Sequence, residues 1–282
     1  MRADRDEDSR MTRIPEDRAV LELESVGVLY TRYSRGIAPR PLETVRAVND
    51  VSLSLGENEI LGIVGESGSG KSSLVRAAML IERPTYGSVR FDAVELTTLT
   101  PAELAATRSG MQIVFQNPAA SLNPDLTVER VVREPLDALR IGSRAERRER
   151  VVEALRVVGF DASDAHARPR EFSGGQQQRI AIARAIVVEP RVLFADEAVS
   201  ALDVSIGARV LELLLELRER LRFSMVFVSH DLAVVQGICD RVGVLYRGSL
   251  VELADTATVY GQPQHEYTRT LLEAARHTEL QA

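Results

Sequence analysis

The stretch Gly65-Glu66-Ser67-Gly68-Ser69-Gly70-Lys71-Ser72 decides how this chain is read. Its glycines allow a tight backbone turn that aims successive N–H groups at one point. A helix beginning at the same place adds the positive end of its dipole, so the loop is built for an anion. Lys71 can reach the β- and γ-phosphates of a nucleotide, and the Ser72 hydroxyl can ligate Mg²⁺. The candidate phosphate-binding run therefore extends from Gly65 through Ser73.

A glycine-rich turn can match such a pattern by chance, so its setting matters. Residues 60–64, Ile-Leu-Gly-Ile-Val, are a short apolar run that reads as a buried parallel strand. Residues 72–81 carry a helical pattern, ended by Pro84. Strand, glycine loop and helix in that order are the context the motif requires.

Further out, residues 20–30 alternate apolar and polar as a strand does. Residues 31–44, with Gly36, Pro39 and Pro41, read as a loop, and residues 45–55 as a second strand that turns at Gly56-Glu57-Asn58. Residues 97–172 change character: segments rich in Arg and Glu, broken by Pro118, Pro124, Pro135 and Pro169, predict a mainly helical subdomain. Beyond Ser173 the pattern returns to helix (176–188), strand (192–194), helix (208–220) and strand (224–228). Strands alternating with helices predict a parallel α/β sheet.

The strand at 192–194 leads into Asp196-Glu197. In open α/β sheets ligands bind at the carboxyl ends of strands. Asp196 can there hold Mg²⁺ through a water, and Glu197 can polarise an attacking water. Alone, the pair would read as ordinary surface acids; behind a phosphate loop it reads as the hydrolytic end of an ATP site.

Composition narrows the classes. The chain has 282 residues, 45% of them hydrophobic, enough for one large domain with a subdomain. The net charge of −6 argues against general nucleic-acid binding. A lone cysteine, Cys239, forms no disulfide framework and reads as a small core hydrophobe; it cannot ligate an iron–sulfur cluster. No run approaches the about 18 apolar residues of a spanning helix. The first 18 residues are dense in Arg, Asp and Glu, which predicts a disordered tail and no signal peptide. The chain is therefore expected to be soluble, with any membrane role supplied by partner subunits.

Residues 172–179, Phe-Ser-Gly-Gly-Gln-Gln-Gln-Arg, resemble the signature motif of ABC-type ATPases. Ser173, Gly174 and Gly175 at the start of the helix opened by Gln176 would make a second anion site. The resemblance implies that this site closes over the ATP held by the phosphate loop of a second ATPase subunit. It also implies roles for Gln116 as the Q-loop glutamine at Mg²⁺ and water, and for Asp203, in Ser200-Ala201-Leu202-Asp203, in the D-loop at the dimer interface. His230 resembles the switch histidine at the γ-phosphate, and Tyr30 the aromatic that stacks on adenine; Tyr33 lies close by. Read singly, Gln116 would be a solvated loop residue, Asp203 a helix N-cap and His230 structural. The fold so implied is an α/β P-loop NTPase (RecA-like) core with an antiparallel β subdomain and a helical subdomain, over residues 19–275.

Three segments resemble the dipeptide, oligopeptide and nickel importer branch: 111–124, 199–205 and Pro263-Gln264-His265-Glu266-Tyr267-Thr268-Arg269-Thr270-Leu271-Leu272. The last, within residues 250–275, is expected to mark the branch and not to touch ATP. The branch implies two transmembrane permease subunits, a solute-binding protein reached through them, and a peripheral location on the cytoplasmic membrane face. Phe172, Gln177, Ala198 and Glu266 depart from the commoner Leu, Arg, Pro and Pro; none removes a catalytic group. An exporter or lipid-transport ATPase, a soluble ABC ATPase working on DNA or ribosomes, and a regulatory subunit that binds ATP without hydrolysis remain as rival readings.

Overall fold

The computed structural model describes residues 19–33 and 41–279; the predicted tail at 1–18 lies outside them. The strands are β1 (Ala19–Tyr33), β2 (Pro41–Gly56), β3 (Ile60–Val64), β4 (Tyr86–Phe91), β5 (Val94–Glu95), β6 (Met111–Phe115), β7 (Val192–Asp196), β8 (Ser224–Val228), β9 (Arg241–Tyr246) and β10 (Ser249–Asp255). The helices are α1 (Lys71–Ala78), α2 (Pro101–Thr107), α3 (Pro118–Ser121), α4 (Val128–Ala138), α5 (Arg144–Val157), α6 (Gly174–Ile186), α7 (Val204–Leu221), α8 (Leu232–Ile238), α9 (Thr256–Gly261) and α10 (Glu266–Glu279). The described residues form two compact units, one lying within Met1–Thr98 and Phe227–Ala282, the other being Leu99–Val226.

In the first unit an antiparallel sheet runs β2-β1-β4-β5. Val20, Leu21, Leu23, Val26 and Val28 of β1 are buried, and the strand's alternation slips where Ser25 takes φ +49° and the register with β2 shifts. A bulge of this kind re-aims the residues beyond it. The predicted loop at 31–44 is corrected at both ends. Thr31 pairs with Thr44 and Arg32 with Glu43, because β-branched residues favour pairing and Pro41, as the first residue of its strand, costs no ladder bond.

A mixed sheet in the same unit joins β3 parallel to β9 and β9 antiparallel to β10. All of β3 is buried, which explains its unbroken apolar run. A charged pair is buried where β3 and β9 begin: Arg241 Nη1 meets Glu59 Oε1 at 3.1 Å, and Glu59 also accepts the Gly56 N–H. Helix α1 ends at Ala78, short of the residue 81 read from sequence. Leu80 turns into φ +49° and Ile81 N–H returns to Arg76 O, closing the helix with its own backbone before Pro84 is reached.

In the second unit β6 lies parallel to β7, with α2 to α7 in the same unit. The span 97–172 thus carries a strand among its helices. Pro135, read as a breaker, sits inside α4. Its missing N–H is outweighed by the complete burial of Val128, Val131, Val132 and Leu136. Ser143 and Glu146 form a capping box that starts α5 where the Arg- and Glu-rich pattern begins.

Candidate nucleotide site

The phosphate loop leaves β3 and enters α1 within the first unit. Gly68 and Gly70 take φ +81° and +107°. A Cβ on Gly70 would stand 2.1 Å from Ala47 O, so only glycine fits there. Gly70 is also the N-cap of α1 and brings no side chain to cap it, which keeps the positive end of the helix for an anion. Lys71 is buried, and its ammonium donates to Gly65 O at 2.8 Å and Glu66 O at 2.9 Å. Those bonds hold the ammonium against the inner wall of the turn. Ser69 Oγ is buried without a hydrogen-bond partner, one polar atom the loop's own fold leaves unsatisfied. Glu66, Ser67, Gly68 and Ser72 are exposed. These residues fit a polyphosphate. Among the described residues no group of three His, Cys, Asp or Glu gathers as a metal site. A Mg²⁺ bound with the phosphates would keep several of its waters, as that ion commonly does.

Two other predicted residues stand in this unit. Tyr30, on β1, is 38% exposed; its hydroxyl donates to Glu82 Oε2 at 2.5 Å and lies 3.4 Å from Ser73 Oγ on α1. Burial and the Glu82 carboxylate raise its pKa, so the phenol stays neutral. His230 is exposed just beyond β8, between Ser229, whose N–H donates to Ile63 O of β3, and Asp231, which caps α8.

The second unit holds the acid pair and the signature segment. Asp196 ends β7 and is 9% exposed. Glu197 follows in a left-handed conformation, φ +51°, costly for a residue with a Cβ. Its carbonyl accepts Ser200 N–H at 3.1 Å and Ser200 Oγ at 2.9 Å, while Ser200 Oγ lies 3.5 Å from Glu197 Oε2. Gln116 Nε2 donates to the same Ser200 Oγ at 3.2 Å. Gln116 and Glu197, separate candidates in the sequence, are thus joined by Ser200, which motif reading quoted but gave no role. Ala198, at the usual proline position, is 1% exposed.

Ser173 caps α6 in a reciprocal box with Gln176: Gln176 Oε1 accepts Ser173 N–H at 2.9 Å and Ser173 Oγ accepts Gln176 N–H at 3.4 Å. The box keeps the Gly174 end of the helix exposed, and Gly175 is buried beside Ile206. Asp203 occupies the N-cap position of α7, but its side chain makes no cap bond. The capping reading of that carboxylate is therefore not what the fold uses it for.

The C-terminal segment, expected to mark the branch, also meets the phosphate loop: Tyr267 Oη on α10 accepts the Glu66 N–H at 3.1 Å. The Tyr267 ring stacks on Tyr246 with centroids 4.0 Å apart, and the Arg247 guanidinium covers the other ring at 5.0 Å. A cavity of about 540 Å³ lies between loop and helix, lined among others by Ser67, Ser69, Arg247, His265 and Glu266. Only folding brings these positions together; no local pattern signals it.

Known proteins resemble this chain over most of its length. The ABC transporter family matches residues 48–200. A Brucella ovis protein named for peptide import and ATP binding is 47% identical over 231 residues, 82% of this chain and 73% of that protein. The oligopeptide transport ATP-binding protein AppF of Bacillus subtilis is 44% identical over 256 residues, covering 90% and 78%. Among solved structures, the dimeric ATP-binding cassette MJ0796 with ADP and Pi aligns at a TM-score of 0.72 and 33% identity, covering 84% of this chain and 98% of that one. From the phosphate loop through the signature segment, in sequence and in fold, this chain belongs to the ABC transporter family.

Proposed function

We propose that the chain is the ATP-binding, ATP-hydrolysing subunit of a membrane importer for peptides. The phosphate loop carries this reading: a buried Lys71 within a glycine turn at an uncapped helix start, in a chain whose relatives are named for peptide import. Lys71, Ser72 and the loop amides would bind the phosphates, and Tyr30 would lie against the adenine. Ser72, Gln116 and Asp196 would hold Mg²⁺, which when bound neutralises charge on the phosphates. Glu197 would accept a proton from the attacking water, and His230 would stabilise the γ-phosphate. Phosphoryl transfer of this kind is mostly positioning and electrostatics, which suits many short motifs sharing the work.

The signature residues Ser173, Gly174, Gly175 and Gln176, with Asp203, would complete the site of a second ATPase subunit, the same chain or a related one. The dimeric form of the MJ0796 cassette supports that assembly. Two transmembrane permease subunits would carry the closure to the transport path, with a solute-binding protein delivering the peptide, and the chain would sit peripherally on the cytoplasmic face of the membrane. Among the described residues no helix is long and apolar enough to cross a membrane, which suits a subunit held by permeases.

The test is paired. Lys71→Ala should abolish ATP binding measured by equilibrium titration. Glu197→Gln should bind ATP, accumulate as a dimer in sizing experiments, and release phosphate at least about 100-fold more slowly. Unchanged phosphate release by Glu197→Gln would remove the base from this scheme.

A further inference from the structure

The link between α10 and the phosphate loop is built from a continuous chain of contacts. Glu252 on β10 is 7% exposed, and its carboxylate accepts the N–H groups of Gln264 at 2.9 Å and His265 at 3.1 Å. His265 Nδ1 in turn accepts the Tyr267 N–H at 3.1 Å, fixing the first turn of α10. Tyr246, at the end of β9, stacks against the Tyr267 ring and sets its plane. The phenol oxygen then receives the Glu66 N–H. The far side of the loop is held independently, where Gly248 N–H in the β9–β10 turn donates to Ser69 O at 2.8 Å.

Glu66 N–H is the donor next to Gly65, whose carbonyl takes the Lys71 ammonium. A phenol on that N–H therefore fixes the peptide plane that also aims the lysine's anchoring carbonyl. We propose that Tyr267 is a positioning residue for the phosphate loop, holding Glu66 N–H so that the turn carrying Lys71 is already shaped for a nucleotide before one arrives. Preorganisation of this kind acts on affinity, because a loop that must be ordered on binding subtracts that cost from the binding free energy. The inference rests on the nucleotide reading of the loop.

Tyr267→Phe separates the hydroxyl from the ring. The full chain with Phe keeps the stack on Tyr246 and should keep its thermal midpoint, while its affinity for ATP, measured by titration, falls about three- to ten-fold, the range of one neutral hydrogen bond. Tyr246→Phe, which keeps both the stack and the Tyr267 hydroxyl, should bind ATP as the parent does. Parental affinity in Tyr267→Phe, with only a lowered midpoint in Tyr267→Ala, would overturn the inference and leave Tyr267 a packing residue. Lys71→Ala is the control: if it too bound ATP normally, the nucleotide reading itself would fall, whereas its loss of binding beside a normal Tyr267→Phe would fell the positioning role alone.

Discussion

The Ser200 hydroxyl donates to the backbone carbonyl of Glu197 across 2.9 Å. Because Gln116 Nε2 donates to that same Ser200 hydroxyl, the turn after β7 is braced from the segment after β6. Ser200→Ala should leave ATP binding intact and slow phosphate release about five-fold, the worth of one hydrogen bond. The double variant with Gln116→Ala should fall short of the product of the single effects, since the two share one bond; a double-mutant cycle of release rates measures it.

The loop glycines should not be equal. A Cβ at Gly70 meets a backbone oxygen, whereas one at Gly68 meets nothing within 4 Å. Gly70→Ala should lose ATP binding outright. Gly68→Ala should lose only the about 1–2 kcal/mol of left-handed strain and keep measurable affinity. Titration of both variants with ATP checks the order.

Glu59→Gln should destabilise the first unit more than any surface change. It leaves the Arg241 guanidinium, 6% exposed, without its carboxylate. Breaking a buried pair costs about 3–5 kcal/mol, and replacing both partners with Met should recover most of that. Urea unfolding followed by circular dichroism distinguishes the single from the double change.

Cys239 should resist alkylation. Burial, with the Asp240 charge, pushes its thiol pKa far up, and a Cβ on Gly62 would lie 2.9 Å from its sulfur. At neutral pH a maleimide should label the unfolded chain and leave the folded one unmarked by mass spectrometry.

What the sequence made legible follows physical range. The phosphate loop, β3 and β7 each write their structure in a few adjacent residues, because tight turns and fully buried strands constrain every position they contain. The extension of β1 to Tyr33 was hidden by Pro41, whose usual meaning as a breaker lapses at a strand's first residue. The five-residue β6 was lost among helical segments, since so short a run has no periodicity to separate it from its neighbours. Ser200 and Tyr267 carry no local signal for their contacts. Tyr267 stands 201 residues from Glu66 along the chain, and only completed sheets bring them together.

The left-handed turn at Glu197 has a consequence for how such a chain can decay. Glycine is the residue that backbone geometry prefers there, so replacing the acid with glycine would relieve strain while removing the base of the proposed scheme. The backbone turn itself does not require an acid at that position. A gene copy released from the need to hydrolyse ATP could lose it early and still yield a sturdy, nucleotide-loving protein, so inactive descendants should be sought by their missing acid and not by signs of instability.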